Sequence, residues 1–237
     1  MRPVGRSRRT SLCRVATVPF SLFPVQAQIE ELSQRDFDVT VVCSPTDDFL
    51  SSAKSAGPKM AWGSTLHYHP IEIARAIHPI RDLKALIHLF LLFRREKFEI
   101  VHSITPKAGL LTAIAGFFAR VPLRLHTFTG QIWISQRGLL RFVTRTADKL
   151  IGNLCTCVYA DGPGQAQFLV DNGIVSPEKI NVIMKGSIGG LDVQRFDPAK
   201  FPTSRADMRA TLGIDEGAFV FGFVGRINRD KGIVELL

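Results

Sequence analysis

What most constrains this chain is an alternation. Short runs of β-branched and apolar residues recur along it, separated by amphipathic stretches of helical length. Val39-Thr40-Val41-Val42-Cys43 is one such run, ended by Ser44-Pro45, and Glu99–His102, Leu123–Phe128, Thr156–Ala160 and Ile180–Met184 continue the series. Between them, apolar spacing predicts a helix over Ile80–Lys97, with Leu83, Leu86, Ile87, Phe90 and Phe93 on its core face. Arg81, Lys84, His88 and Arg95 fall on its other face. Pro106 suits the first position of a further helix, which runs through Leu110, Leu111, Ile114 and Phe117 until Val121-Pro122 stops it. Two more helices are predicted, one from about Leu139 to Leu150 and one from Pro163 to the C-cap signal Asn172-Gly173. Repeated β-α-β order predicts an α/β fold, a doubly wound open parallel sheet with helices on both faces.

The pattern breaks after about Phe201. Pro198, Pro202 and Ser204 interrupt the chain, a short helix is expected over Arg205–Leu212, and Phe219–Val224 reads as a new buried strand closed by Gly225. Lys231-Gly232 reads as the start of another helix. The expected organisation is therefore a Rossmann-like domain over 1–201, then a linker and the first elements of a truncated second α/β domain over 202–237.

Composition narrows the classes. A chain of 237 residues that is 46% hydrophobic and 22% charged is neither disordered nor coiled coil. No run approaches the ~18 apolar residues of a spanning helix, so a soluble chain is expected. The N-terminal arginines and the apolar stretch after them imitate a secretory signal, but Arg14, Pro19 and Pro24 break it, which favours a cytoplasmic compartment. The net charge of +9 points only weakly to nucleic acid, because Arg2, Arg6, Arg8, Arg9 and Arg14, all before the first acid, carry over half of the excess. Cys13, Cys43, Cys155 and Cys157 make no disulfide framework in a chain this long and read as reduced thiols, with Cys155 and Cys157 on one strand face. No convincing D-x-D motif or His/Asp cluster calls for a metal.

Gly225-Arg226-Ile227-Asn228-Arg229-Asp230-Lys231-Gly232 lies between an expected strand and an expected helix start. In a doubly wound sheet, ligands sit outside the carboxyl ends of strands, and cations beside a helix N-terminus suit a diphosphate. The segment resembles the G-R-x-x-x-x-K-G signature of family 4 glycosyltransferases, which have the two-domain GT-B architecture. The resemblance extends upstream. Thr17–Leu22 looks like the family's first strand-to-helix loop, and Ile100–Gly109 is similar to a segment of capsule and O-antigen members. His126–Gln131 resembles the loop lining their acceptor cleft, and Gly186–Asp192 with Arg195-Phe196 resembles the segment before the domain linker.

The resemblance implies a retaining transferase that moves a sugar from a nucleotide diphosphate donor to a saccharide or lipid-linked saccharide, in cell-surface polysaccharide biosynthesis, without metal or cofactor. It assigns Arg226 and Lys231, with Gly225, to the donor diphosphate and its departure. His102, Lys107, Thr129 and Gly130 are the acceptor-side candidates. Lys107 reads either as a contact to an acceptor phosphate or sugar hydroxyl or as a surface lysine beside a helix opener, and His126 as a satisfied core histidine. Thr129 stands where many members have histidine, so a role built on that histidine does not carry over. The stripe Arg81, Lys84, His88 and Arg95 reads as a solvated face or as a peripheral contact with anionic lipid at the inner face of the membrane. The family's E-x7-E element is not in this chain, which makes an inactive fragment that at most binds acceptor the alternative. A nicotinamide-dependent oxidoreductase or epimerase would need G-x-G-x-x-G, which does not occur.

Overall fold

The computed structural model describes residues 9–45, 66–190, 193–194, 196–201, 203–225, 227 and 231–236. It divides into two compact units, 1–190 and 191–237, and each is described by itself.

The first unit is built on seven strands: β1 (Thr10–Val15), β2 (Phe37–Cys43), β3 (Leu66–Pro70), β4 (Ile100–Ile104), β5 (Leu123–Phe128), β6 (Cys157–Ala160) and β7 (Ile180–Val182). They form one sheet in the order β3-β2-β1-β4-β5-β6-β7, with every neighbouring pair parallel. The order reverses direction between β1 and β4, which makes that gap the topological switch point of a doubly wound fold.

Among the described residues of the unit are five α-helices: α1 (Gln26–Gln34), α2 (Pro79–Glu96), α3 (Pro106–Phe118), α4 (Gly138–Leu154) and α5 (Pro163–Asp171). Alternate residues of the strands feed opposite cores, as a period of two requires. Cys13 and Val15 pack with Ala85, Leu89, Phe93 and Leu111 of α2 and α3. Leu12 and Ala16 pack with Ile29 of α1 and with Leu22 of the 3-10 turn Pro19–Val25. A third cluster joins Phe128 and Val158 to Trp133, Ile151 and Leu169. Helix α2 packs on α3, and α3 on α4, so these three form one layer.

Three expectations are corrected here. The N-terminal stretch reads as arginines whose apolar run Arg14 breaks, yet Thr10–Val15 is an interior strand of the sheet, between β2 and β4. Its register with β2 and β4 buries Arg14, the residue that broke the apolar pattern. Leu83 and Ile87, expected on the core face of α2, are exposed. From Ala85 to Phe93 every residue but His88 is apolar, a stripe too wide for periodicity to fix its centre, and packing selects Ala85, Leu89, Leu92 and Phe93. Cys155 ends α4 and is buried in the third cluster, while Cys157 in β6 is only half-buried, so the two share no strand face.

In the second unit, Ser204 caps α6 (Arg205–Thr211) by accepting from the Asp207 amide at 3.1 Å. A further short helix, α7, spans Ile233–Leu236. Phe219–Val224, expected as a strand, has no ladder partner among the described residues, and Phe219, Phe221 and Val224 are exposed. A hydrophobic run makes a strand only where neighbouring strands take its backbone groups.

Candidate functional site

Parallel strands bring their carboxyl ends to one edge, and the loops after β1 and β4 leave it on either side of the switch point. There Thr17 and Thr105 share a hydrogen bond of 2.7 Å between their hydroxyls. Thr105 holds φ 81° and ψ 140°, a conformation a β-branched residue rarely adopts. Pro106 then opens α3, whose first-turn amides face the same edge.

Behind this rim, a line of polar side chains crosses the sheet on the α1 face. Arg14 donates to Nδ1 of His102, and Nε2 of His102 lies 2.8 Å from the Thr127 hydroxyl. Tyr159 of β6, in register with Thr127, stands 5.9 Å from the His102 ring between centroids. Because a guanidinium only donates, Nδ1 must accept, and the ring proton sits on Nε2, which donates to Thr127. Burial and the neighbouring Arg14 charge hold the His102 pKa well below the ordinary histidine value, so the ring is neutral. Burial also lowers the Arg14 pKa, to about 10, which leaves it charged at neutral pH. Its Nε and second terminal nitrogen are buried without a partner among the described residues. A buried cation beside a neutral imidazole therefore lies within the sheet at the switch point.

The rim continues over β5 and β6. Thr129 and Gly130 follow β5 directly and are exposed, with Gly130 at φ 153° and open space where a side chain would stand. After β6, Asp161 anchors the glycine-rich segment 186–190: its carbonyl accepts from the Ser187 amide at 2.7 Å and its carboxylate from the Ile188 amide at 2.9 Å. Gly186 has φ 106°, and an added Cβ would lie 2.5 Å from the Asp161 carbonyl oxygen, so only glycine permits this approach. These glycines shape a loop tied to Asp161.

The other sequence candidates lie as follows. Lys107, in the first turn of α3, places its ammonium 2.8 and 3.0 Å from the two Asp82 oxygens and donates to the Ala76 carbonyl. It braces the start of α2 against the start of α3. His126 is buried, with Nδ1 2.9 Å from the Ser103 hydroxyl, and burial lowers its pKa to about 3. Gly225 and Lys231 belong to the second unit and are exposed, and Arg226 lies outside the described residues. Asp192 and Arg195 also lie outside them. Sequence reading missed Arg14, the Thr17–Thr105 pair and Tyr159. For Arg14 one signal was available, a lone arginine between Cys13 and Val15 in a short apolar run.

A doubly wound parallel sheet with its crevice at the switch point defines a Rossmann-like α/β unit of the kind that GT-B glycosyltransferases and related epimerases contain. Among solved structures, Anabaena HepE in complex with UDP and glucose matches 86% of this chain and 50% of its own, with TM-score 0.58 and 14% identity. The UDP-N-acetylglucosamine 2-epimerase of Rickettsia bellii matches 87% of this chain and 52% of its own, with TM-score 0.61 and 15% identity. At such identities these likenesses show the fold. The family follows from sequence: residues 25–186 match the glycosyl transferase 4-like domain, and the chain belongs to that family. It is 30% identical over 230 residues to the capsular polysaccharide biosynthesis glycosyltransferase CapM of Staphylococcus aureus, covering 97% of this chain and 57% of CapM. It is 28% identical over 205 residues to the UDP-Gal:alpha-D-GlcNAc-diphosphoundecaprenol alpha-1,3-galactosyltransferase of Escherichia coli, covering 84% of this chain and 48% of that protein. The chain thus spans about half the length of the curated relatives it matches.

Proposed function

We propose that the first unit is the acceptor side of a glycosyltransferase of cell-surface polysaccharide biosynthesis. The reaction moves a sugar from a nucleotide diphosphate donor to a saccharide or lipid-linked saccharide, with retention of anomeric configuration. The observation that carries the reading is the carboxyl edge of the sheet at the switch point, with Arg14 buried in it and Thr17, Thr105, Thr129 and Gly130 in the loops that leave it. A buried guanidinium with no carboxylate partner among the described residues raises the potential where a diphosphate-bearing ligand would lie, and hydroxyls and open backbone suit a sugar. The Escherichia coli relative, named for a diphosphoundecaprenol-linked acceptor, supports the same chemistry.

In the transfer, the acceptor hydroxyl oxygen bonds to the anomeric carbon as the bond from that carbon to the diphosphate oxygen breaks. The hydroxyl proton passes to the departing phosphate. Arg226 and Lys231 are proposed to neutralise charge on that leaving group, with Gly225 giving the backbone close approach, which is electrostatic stabilisation needing no metal or cofactor. Lys107 acts here as a brace that fixes the α3 N-terminus beside the acceptor, and neutral His102 as a donor to Thr127 that keeps the sheet rigid at the switch point. Peripheral association with the inner membrane face accords with a lipid-linked acceptor.

The test is to incubate the chain with UDP-galactose and a short-chain polyprenyl-diphosphate N-acetylglucosamine, and to read binding by calorimetry and product anomer by NMR. Saturable acceptor binding with an α-linked product supports the full reading. Acceptor binding without turnover supports the alternative of an acceptor-binding piece, and absence of acceptor binding overturns both.

A further inference from the structure

The stretch of rim after β5 is pinned between two buried aromatic side chains. Phe128 ends β5 and is 2% exposed, and Trp133 is 1% exposed. Between them Thr129, Gly130 and Ile132 are exposed and Gln131 is half-buried. A Cβ added at Gly130 would meet nothing within 4 Å, so packing of its own does not hold this stretch. Its place is set at its two ends.

Trp133 makes the second end. It is the one side chain of the 3-10 turn Ile132–Ile134 that is buried. Ile-Trp-Ile is apolar throughout, so hydrophobicity does not choose among the three. A buried indole N–H needs a partner, and Trp133 donates to Asp148 of α4 at 2.9 Å. Its ring stacks on Phe168 of α5, with centroids 5.5 Å apart and planes 20° from parallel. The guanidinium carbons of Arg141 and Arg145 stand 5.9 and 5.7 Å from the ring centroid. One side chain thus ties the turn to two helices. Gln131 and Gln136 add to the fastening: Gln165 of α5 donates to Oε1 of Gln131 at 3.4 Å, and Oε1 of Gln136 accepts from the Thr144 hydroxyl of α4 at 2.6 Å. Arg145 donates to the Asn172 carbonyl just past α5 at 2.7 Å, which holds the two helices to each other.

We infer that Trp133 is a positioning residue for the acceptor: its indole, bonded to Asp148 and stacked on Phe168, fixes where Thr129 and Gly130 stand. The inference rests on the acceptor-side reading of that edge. A short loop closed at both ends keeps few conformations, so little entropy is lost when a saccharide binds against it. With the Trp133 end released, the stretch hangs from β5 alone, and the ligand has to order it on binding.

The test is 15N relaxation of the whole chain and of three variants, with amides of β5 and α4 as internal controls. Trp133→Phe keeps a ring on Phe168 and removes the indole N–H. Asp148→Leu removes the acceptor of that bond and keeps the indole, whereas Asp148→Asn keeps an acceptor. The Gly130 amide should have an order parameter of about 0.85 in the parent chain and in Asp148→Asn, and below about 0.6 in the other two. The Thr127 and Ile151 amides should stay rigid in all of them, which shows that each variant is folded. Calorimetry with the short-chain polyprenyl-diphosphate N-acetylglucosamine should give binding about tenfold weaker in Trp133→Phe and Asp148→Leu, and parent affinity in Asp148→Asn. A rigid Gly130 in both disrupting variants overturns the inference. Equal loosening of Thr127 and Ile151 makes Trp133 a core filler and also overturns it, as does a loose Gly130 with undiminished affinity. Acceptor binding by none of the proteins overturns the acceptor-side reading instead, and the relaxation data then decide the fastening separately.

Discussion

Arg14 of β1 donates its guanidinium proton to Nδ1 of His102, its register partner on β4, across the switch point of the sheet. The pair sits where a doubly wound fold collects ligands, and it leaves one cation buried with two nitrogens unpartnered among the described residues. A buried, uncompensated charge costs stability, and replacing such a group by an apolar one of similar volume is commonly neutral or stabilising. Arg14→Met should therefore raise the melting temperature, by a free energy of about 1–3 kcal/mol. A lower melting temperature would mean that the guanidinium contributes to the fold.

Acid should loosen the first unit. His102 and His126 are held neutral by burial, His126 with a pKa of about 3, whereas each binds a proton in the unfolded chain near the ordinary value of 6.5. The unfolded state therefore binds more protons, and this part of the stability is complete above pH 6.5 and lost as pH falls toward 3. The slope reaches about 1.4 kcal/mol per pH unit for each histidine. Urea melts between pH 7 and 4 should show it, and His126→Gln should flatten it.

Asp148 works in the opposite direction. Burial pushes its pKa up to about 6, against the Trp133 indole bond that favours the ionised form. A carboxyl with a raised pKa contributes stability at low pH that is lost as pH rises through 6. Asp148→Asn keeps an acceptor for the indole and removes the ionisation, so it should stabilise the unit at pH 7 by about 1–3 kcal/mol and change little at pH 4. Equal effects at both values would refute this assignment.

Two glycines in helices separate space from flexibility. At Gly109 of α3 a Cβ would stand 2.4 Å from His126 Cε1 and 3.0 Å from Ile151 Cδ1, while at Gly164 of α5 it meets nothing within 4 Å. Gly109→Ala should cost about 1–3 kcal/mol. Gly164→Ala should be neutral or gain up to about 1 kcal/mol, through helix propensity alone. Thermal melts of the two variants check both signs.

The order of elements was legible because each strand from β4 onward is a short apolar run between helix signals, and Leu123–Phe128 is β5 with the same bounds. Strand β1 was not legible, since an arginine in an apolar run argues against burial unless its neighbours are known. Strand β3, Leu-His-Tyr-His-Pro, is five residues with two histidines and a terminal proline, too short and polar a run to stand out. The face of α2 was misread because its apolar run from Ala85 to Phe93, broken only by His88, is wider than one face and leaves the choice to tertiary packing. At the site, Thr129-Gly130 stood out by its place after a strand, and Lys107 by its place at a helix start. That Lys107 turns to Asp82 of a helix 25 residues away in sequence is a tertiary fact no local pattern contains. The fold alone does not separate transferase from epimerase; sequence likeness to glycosyltransferases makes that distinction.

The central claim is that the switch-point edge of the sheet over Arg14 receives a diphosphate-linked saccharide. Its most direct test is calorimetric titration of the chain and of Arg14→Met with a short-chain polyprenyl-diphosphate N-acetylglucosamine. The account predicts saturable binding that inorganic pyrophosphate displaces and that falls at least tenfold in the folded variant. Binding of equal strength in both proteins, or none in either, would contradict it.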